Sequence, residues 1–167
     1  MNVLYVTYCS AAKHHIQAGN PKELYDAPRI SSFIQSCEIK KYEWAILSAK
    51  YGLFFPWETR NYYNVTFKTL AYKCRILEND MPLSEITSRE RITQLVQQVR
   101  KNIMEKKIQR IVFFFEQPLQ RRKCYLNILH KAADGCRIEH QTFTELNQHL
   151  KRLTAEGTGI IQVSERI

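Results

Sequence analysis

The chain carries none of the short signatures from which nucleotide and hydrolase sites are most often read. There is no Gly-x-Gly-x-x-Gly and no P-loop, which excludes a standard dinucleotide site and a Walker-type phosphate cradle. There is no Gly-x-Ser-x-Gly elbow and no His-Glu-x-x-His, the marks of α/β-hydrolase nucleophiles and zinc peptidases. The five cysteines, Cys9, Cys37, Cys74, Cys124 and Cys136, are odd in number, widely spaced and without a Cys-x-x-Cys pair. Neither a disulfide framework nor a structural zinc is therefore expected, and reduced thiols are the expectation. No stretch approaches the roughly 20 apolar residues of a membrane span. The N-terminal residues lack the basic region and apolar run of a secretory signal. Internal repeats and low-complexity segments are absent as well. A cytoplasmic protein without membrane contact is the reading.

What is present is basic charge and aromatic density. At 167 residues the chain has the length of one domain. Lysine and arginine number 25 against 16 acidic residues, for a net charge of +9. That balance suits a polyanionic partner such as a nucleotide or nucleic acid, although it also fits a basic but inert surface.

Three short apolar runs have the character of strands covered on both faces: Val3 to Tyr8, Trp44 to Leu47 and Arg110 to Phe115. Between them the pattern predicts a helix from Pro28 to Cys37, with Ile30, Phe33, Ile34 and Cys37 on one face. A second helix is predicted from Ser88 to Lys106, opened by a capping box of Thr87 and Glu90. A third is expected near Arg122 to Ala132, a short strand at Arg137 to His140, and a last helix from Thr144 to Leu153. Residues 54–86 read as an irregular excursion holding at most a short helix near Thr69 to Leu77. The alternation predicts a Rossmann-like α/β fold: a three-layer sandwich with a mainly parallel sheet and helices on both faces. Ligands of such sheets bind outside the carboxyl ends of the strands. The loops at Cys9 to Lys13, Ser48 to Leu53 and Glu116 to Arg122 are then expected to share one rim.

That rim gathers the candidate chemistry. Lys13 and Lys50 each follow a strand and together suit a phosphate or carboxylate. Ser10 and Ser48 add hydroxyls, and the backbone around Gly52 offers N–H groups for an anion. Tyr25, Tyr51, Phe54, Phe55, Trp57, Tyr62 and Tyr63 supply faces for base stacking, or simply core. Cys9 is a candidate nucleophile against the commoner role of a packed, inert thiol. Glu116 and Asp26 are the carboxylates placed to serve as general acid or base. Arg121, in the run Arg121-Arg122-Lys123, is a further phosphate candidate. His14-His15 does not have the geometry of a metal pair, and no metal or cofactor is expected.

Several of these residues also carry a resemblance. Cys9-Ser10-Ala11-Ala12-Lys13, then Leu24-Tyr25, then Leu47-Ser48-Ala49-Lys50-Tyr51-Gly52-Leu53, then Tyr63-Asn64-Val65-Thr66 resemble a family of small bacterial, archaeal and phage proteins described as a domain of unknown function. Its pattern is Cys-x-x-x-Lys, Leu-Tyr-x-Ser, Leu-Ser-Ala-Lys-Tyr-Gly-Leu and Pro-Tyr-Asp-x-Thr. It is loosely similar to domains found with the archaeosine and queuosine tRNA-guanine transglycosylases. The likeness spans residues 2–67, with a weaker echo over 111–125. It implies a base- or nucleotide-handling α/β domain acting at a glycosidic bond, and Asn64 joins Tyr63 among the candidate ligand contacts. The chain departs from the pattern at Asp26-Ala27, at Tyr62 and Asn64 (which replace a proline and an aspartate), and at Glu116-Gln117-Pro118, where a glycine is missing.

The expectation is an enzyme acting on a nucleobase or nucleotide unit, at an N-glycosidic bond. Two alternatives stand beside it. One is a non-catalytic nucleic-acid-binding module. The other is a subunit of a larger nucleic-acid-processing or defence complex, with a protein partner.

Overall fold

The computed structural model describes residues 1–144 and 146. In chain order the strands are β1 (Val3–Tyr8), β2 (Ala18–Gly19), β3 (Trp44–Ser48), β4 (Gly52–Phe54), β5 (Arg60–Asn61), β6 (Val65–Leu70), β7 (Lys73–Glu78), β8 (Met81–Pro82), β9 (Arg110–Phe115) and β10 (Arg137–Thr142). The helices are α1 (Pro21–Leu24), α2 (Pro28–Ile39), α3 (Glu85–Glu105) and α4 (Lys123–Ala132), with a 3-10 turn at Leu119–Arg122 before α4. The expected last helix falls outside the described residues except at Thr144 and Leu146, which are helical.

The three apolar runs lie where covered strands belong. β1 is central, pairing in parallel with β3 on one side and β9 on the other. Every residue of β3 is buried, as are Ile111 to Phe115 of β9. β10 extends the sheet in parallel beyond β9, its Glu139 holding Arg110 at 2.6 Å. At the opposite edge β4 turns back antiparallel on β3, giving the order β10-β9-β1-β3-β4. The return needs a left-handed residue, supplied by Gly52 at φ 76°. A Cβ there would also meet Gln98 Cγ at 3.1 Å.

The Rossmann-like three-layer sandwich is not what forms. The main sheet is mixed, and the remaining strands make two separate antiparallel sheets, β2-β5 and β6-β7-β8. Two segments cause this: the antiparallel return of β4 at Gly52, and the stretch read as an irregular excursion with a short helix. Residues 69–77 are instead strand and turn, because β6 and β7 form a hairpin around Ala71 and Tyr72, both with positive φ. That is the backbone of a two-residue primed turn, usually written with Asn or Gly, so Ala-Tyr gave no hairpin signal.

Helix starts follow local chemistry. Pro28 opens α2, which buries Ile30, Phe33, Ile34 and Cys37. Phe33 meets Phe114 and Trp44 at 5.9 and 6.5 Å between ring centres. The expected Thr87–Glu90 box does not cap α3. Ser84 does, its hydroxyl oxygen accepting from the Thr87 N–H, so Thr87 already lies in the first turn.

The expectation of reduced thiols also fails for two residues. Cys74 of β7 and Cys124 at the start of α4 are joined as a disulfide, tying the hairpin to the helix. Wide sequence spacing hid the pair. Cys9, Cys37 and Cys136 are free and buried.

Candidate functional site at the carboxyl ends of β1 and β3

β1 and β3 are neighbours and parallel, so the loops leaving Tyr8 and Ser48 start side by side. Between them the chain builds two environments that touch but do not merge.

The first is closed. Lys13 pairs across an isolated bridge with Tyr25, and its side chain turns inward. The residue is only 7 % exposed, and its Nζ has no hydrogen-bond partner. It sits 4.2 Å from the centre of the Tyr63 ring and 5.7 Å from that of Tyr25. The Tyr25 and Tyr63 hydroxyls hydrogen-bond to each other, with the buried Ser48 hydroxyl beside both phenols. Cys9 lies against this group, its Sγ 3.5 Å from the Tyr125 hydroxyl. Burial lowers the Lys13 ammonium from its ordinary value, and the neighbouring Cys9 opposes this only in part. Burial likewise raises Tyr25, Tyr63 and Tyr125 well above the ordinary phenol range. For Lys13 and the three phenols the shift favours the uncharged form.

The second is open. A cleft of about 490 Å³ runs between the turn after β3, the β5 segment and α3. Lys50, Tyr51, Arg60, Arg91, Gln94 and Gln98 line it. Tyr51 stands between two cations, with Lys50 Nζ 5.4 Å and the Arg60 guanidinium 5.3 Å from its ring centre. Arg60 is held by Glu58 at 2.9 Å and Arg91 by Glu78 at 3.0 Å. The Arg60 Nε is buried without a partner. Lys50 is exposed and has no ion-pair partner among the described residues. The three cations thus exceed the two carboxylates paired with them. The environments meet where the Tyr51 ring abuts that of Tyr63 edge-on at 5.3 Å.

The sequence-derived candidates divide accordingly. Cys9, Lys13, Tyr25, Ser48 and Tyr63 assemble in the closed group, and Lys50 and Tyr51 in the cleft. The two lysines share a strand end but do not converge on one anion. The Gly52 turn offers no free N–H groups at its start, because Ser48 Oγ accepts from the Lys50 and Tyr51 amides at 3.1 and 3.0 Å. Ser10 Oγ serves its own loop, accepting from the Ala12 amide. The Asn64 carbonyl accepts from the Asn79 amide in the turn region of the hairpin sheet. Asp26 is exposed, 3.8 Å from His14 Nε2. Glu116 is exposed beside Arg122 at 4.0 Å, on the β9 side of β1. Arg121 lines a different groove, of about 440 Å³, with Tyr72 and Lys123.

Sequence reasoning missed several participants. Arg60, Arg91, Gln94 and Gln98 belong to the cleft, but no spacing links them to Lys50. Arg29 stacks on Tyr8 at 3.7 Å and donates to the Tyr8 and Cys9 carbonyls, fixing the end of β1. Its place just after the helix-opening Pro28 was the one available hint. Among the described residues no cluster of three His, Cys, Asp or Glu side chains is arranged for a metal ion. No described helix is long and apolar enough to cross a membrane.

Comparison of the chain with family models, curated proteins and solved structures gives no match. The motif resemblance therefore rests on the residues of this chain alone.

Proposed function

We propose that the protein handles a nucleotide unit, free or within nucleic acid, at the cleft beside Lys50, and acts there on the N-glycosidic bond. The observation that carries this reading is Tyr51 flanked by Lys50 and Arg60 in an open, cation-rich cleft. A phosphate suits the two cations and a base suits the aromatic face. Gln94 and Gln98 add amide donors and acceptors of the kind that read base edges. The net charge of +9 favours approach of such a ligand. The adjoining group of Cys9, Lys13, Tyr25 and Tyr63 supplies proton-transfer and nucleophilic chemistry in a dry setting. Glu116 and Asp26, whose carboxylates are exposed, are less suited to that work.

A labelled single-stranded oligonucleotide and the corresponding 5′-mononucleotide, titrated by fluorescence anisotropy and calorimetry, test the reading. Lys50→Ala and Arg60→Ala are each expected to weaken binding roughly tenfold. For the oligonucleotide, each should also make the salt dependence shallower by about one unit of slope. Affinity equal to that of the parent in both variants overturns the assignment.

A second reading is favoured by the groove at the other end of the β6–β7 hairpin. There Tyr72 projects fully into solvent near Arg121 and Lys123, which have no ion-pair partners among the described residues. This is the composition of a surface that binds nucleic acid without acting on it. Weaker oligonucleotide binding by Tyr72→Ala, with Lys50→Ala unchanged, selects it.

A further inference from the structure

Lys13 is the only buried lysine among the described residues. A buried ammonium kept for structure is normally matched by a carboxylate or a set of carbonyl acceptors. Lys13 has neither: its surroundings are two phenol rings and a thiol, and its nitrogen makes no hydrogen bond. An ammonium so placed is a poor anchor, and desolvation favours its neutral amine, the nucleophilic form. It also lies at the end of a central parallel strand, where sheets of this type present reactive groups.

A continuous series of contacts joins it to the cleft. Lys50 and Arg60 flank Tyr51, Tyr51 abuts Tyr63, and the face of Tyr63 covers the Lys13 nitrogen. Tyr51 is half-buried and its hydroxyl donates to the Asn61 carbonyl at 3.2 Å.

We propose that Lys13 is a carbonyl-reactive lysine that forms an imine with the ring-opened aldehyde of a 5′-phosphorylated sugar held by the Lys50–Arg60 cleft. The inference rests on the nucleotide reading above and names the atom attacked. The Lys13 nitrogen lone pair bonds to the sugar C1′. The carbonyl π electrons move to oxygen, which takes up a proton, and a proton leaves the nitrogen. The nitrogen lone pair then expels that oxygen, which leaves as water with a second proton while the nitrogen gives up its remaining one, so amine and aldehyde give imine and water with no change of oxidation state. The same chemistry is offered by an abasic position in nucleic acid and by a free sugar phosphate.

Borohydride trapping tests the proposal, since hydride adds to the imine carbon, a proton to the nitrogen, and a stable secondary amine results. The chain is incubated with an oligonucleotide bearing one abasic site or, in a separate arm, with ribose 5-phosphate. It is then reduced and mapped by peptide mass spectrometry. The expected adduct is on the peptide containing Lys13, and the arm giving it identifies the source. Adduct confined to the exposed Met1 α-amine or to surface lysines overturns the proposal, as does no adduct. The mapping uses the unmutated chain, so it does not depend on a variant folding. Lys13→Arg, checked for folding by circular dichroism, should lose this adduct. Intact oligonucleotide binding without Lys13 adduct sinks the imine and spares the nucleotide reading. Loss of binding together with an adduct at Lys13 does the reverse.

Discussion

Lys13 and Lys50 leave the same side of the sheet from adjacent parallel strands, yet they end in opposite circumstances. Lys50 stands in solvent beside Tyr51 and makes no ion pair among the described residues. Lys13 is sealed under Tyr25 and Tyr63 with no hydrogen-bond partner. Neither outcome is set by the residues next to them. What separates the two is the later return of the chain, which lays Tyr25 and Tyr63 over one strand end and leaves the other open. Cation chemistry is thus divided into an electrostatic half, where charge is kept, and a desolvated half, where charge is suppressed.

Ser48 is the hinge of this division, and altering it should have the largest effect. Its hydroxyl accepts two amides of the Lys50 turn and contacts the buried phenols. Ser48→Ala leaves those amides unmatched and is expected to cost about 2 kcal/mol, read as a lower urea midpoint at unchanged m-value. A cost near zero means the two halves are not joined through this residue.

Lys13→Met should move stability in the opposite direction, raising it by about 1 kcal/mol near neutral pH through loss of an unmatched buried polar group. The folded-state value of Lys13 lies below its ordinary 10.5, so the unfolded chain binds more protons between the two values. The parent therefore gains stability as pH rises across that interval, and the advantage of Lys13→Met shrinks towards pH 10.5. Of the groups facing Lys13, the Tyr25 and Tyr63 phenols are raised by burial. They lower stability above about pH 10, and they do so in both proteins. A parent more stable than Lys13→Met at pH 7 breaks the contrast. The smallest effect belongs to Lys50→Met, expected to stay within about 0.5 kcal/mol of the parent in the same urea titration.

The parts legible in the sequence were those fixed by local pattern. β1, β3 and β9 show themselves as apolar runs, α2 by its Pro28 start and buried face, and Gly52 by the turn it must make. The Cys9, Lys13, Tyr25, Ser48 and Tyr63 group was named as candidates, but its closure was not foreseen. Inward rotation of Lys13 depends on a bridge to Tyr25 and on Tyr63, residues 12 and 50 positions away, and local spacing holds no trace of that. The β6–β7 hairpin was lost because Ala71-Tyr72 adopts a backbone usually reserved for glycine and asparagine. The cleft was half seen, since Arg60, Arg91 and the glutamines reach Lys50 only through tertiary packing.

The bond between Cys74 and Cys124 turns the intervening chain into a covalent ring, with 50 positions separating its ends. That ring contains all of α3, and with it the wall formed by Arg91, Gln94 and Gln98, and it passes through β9 of the main sheet. Neither sulfur lines the Lys50 cleft, yet a thiol reductant acts on that wall by restoring freedom to the unfolded ring, worth about 4 kcal/mol for a loop of this size. Redox surroundings thereby become a remote determinant of how firmly one side of the ligand cleft is held.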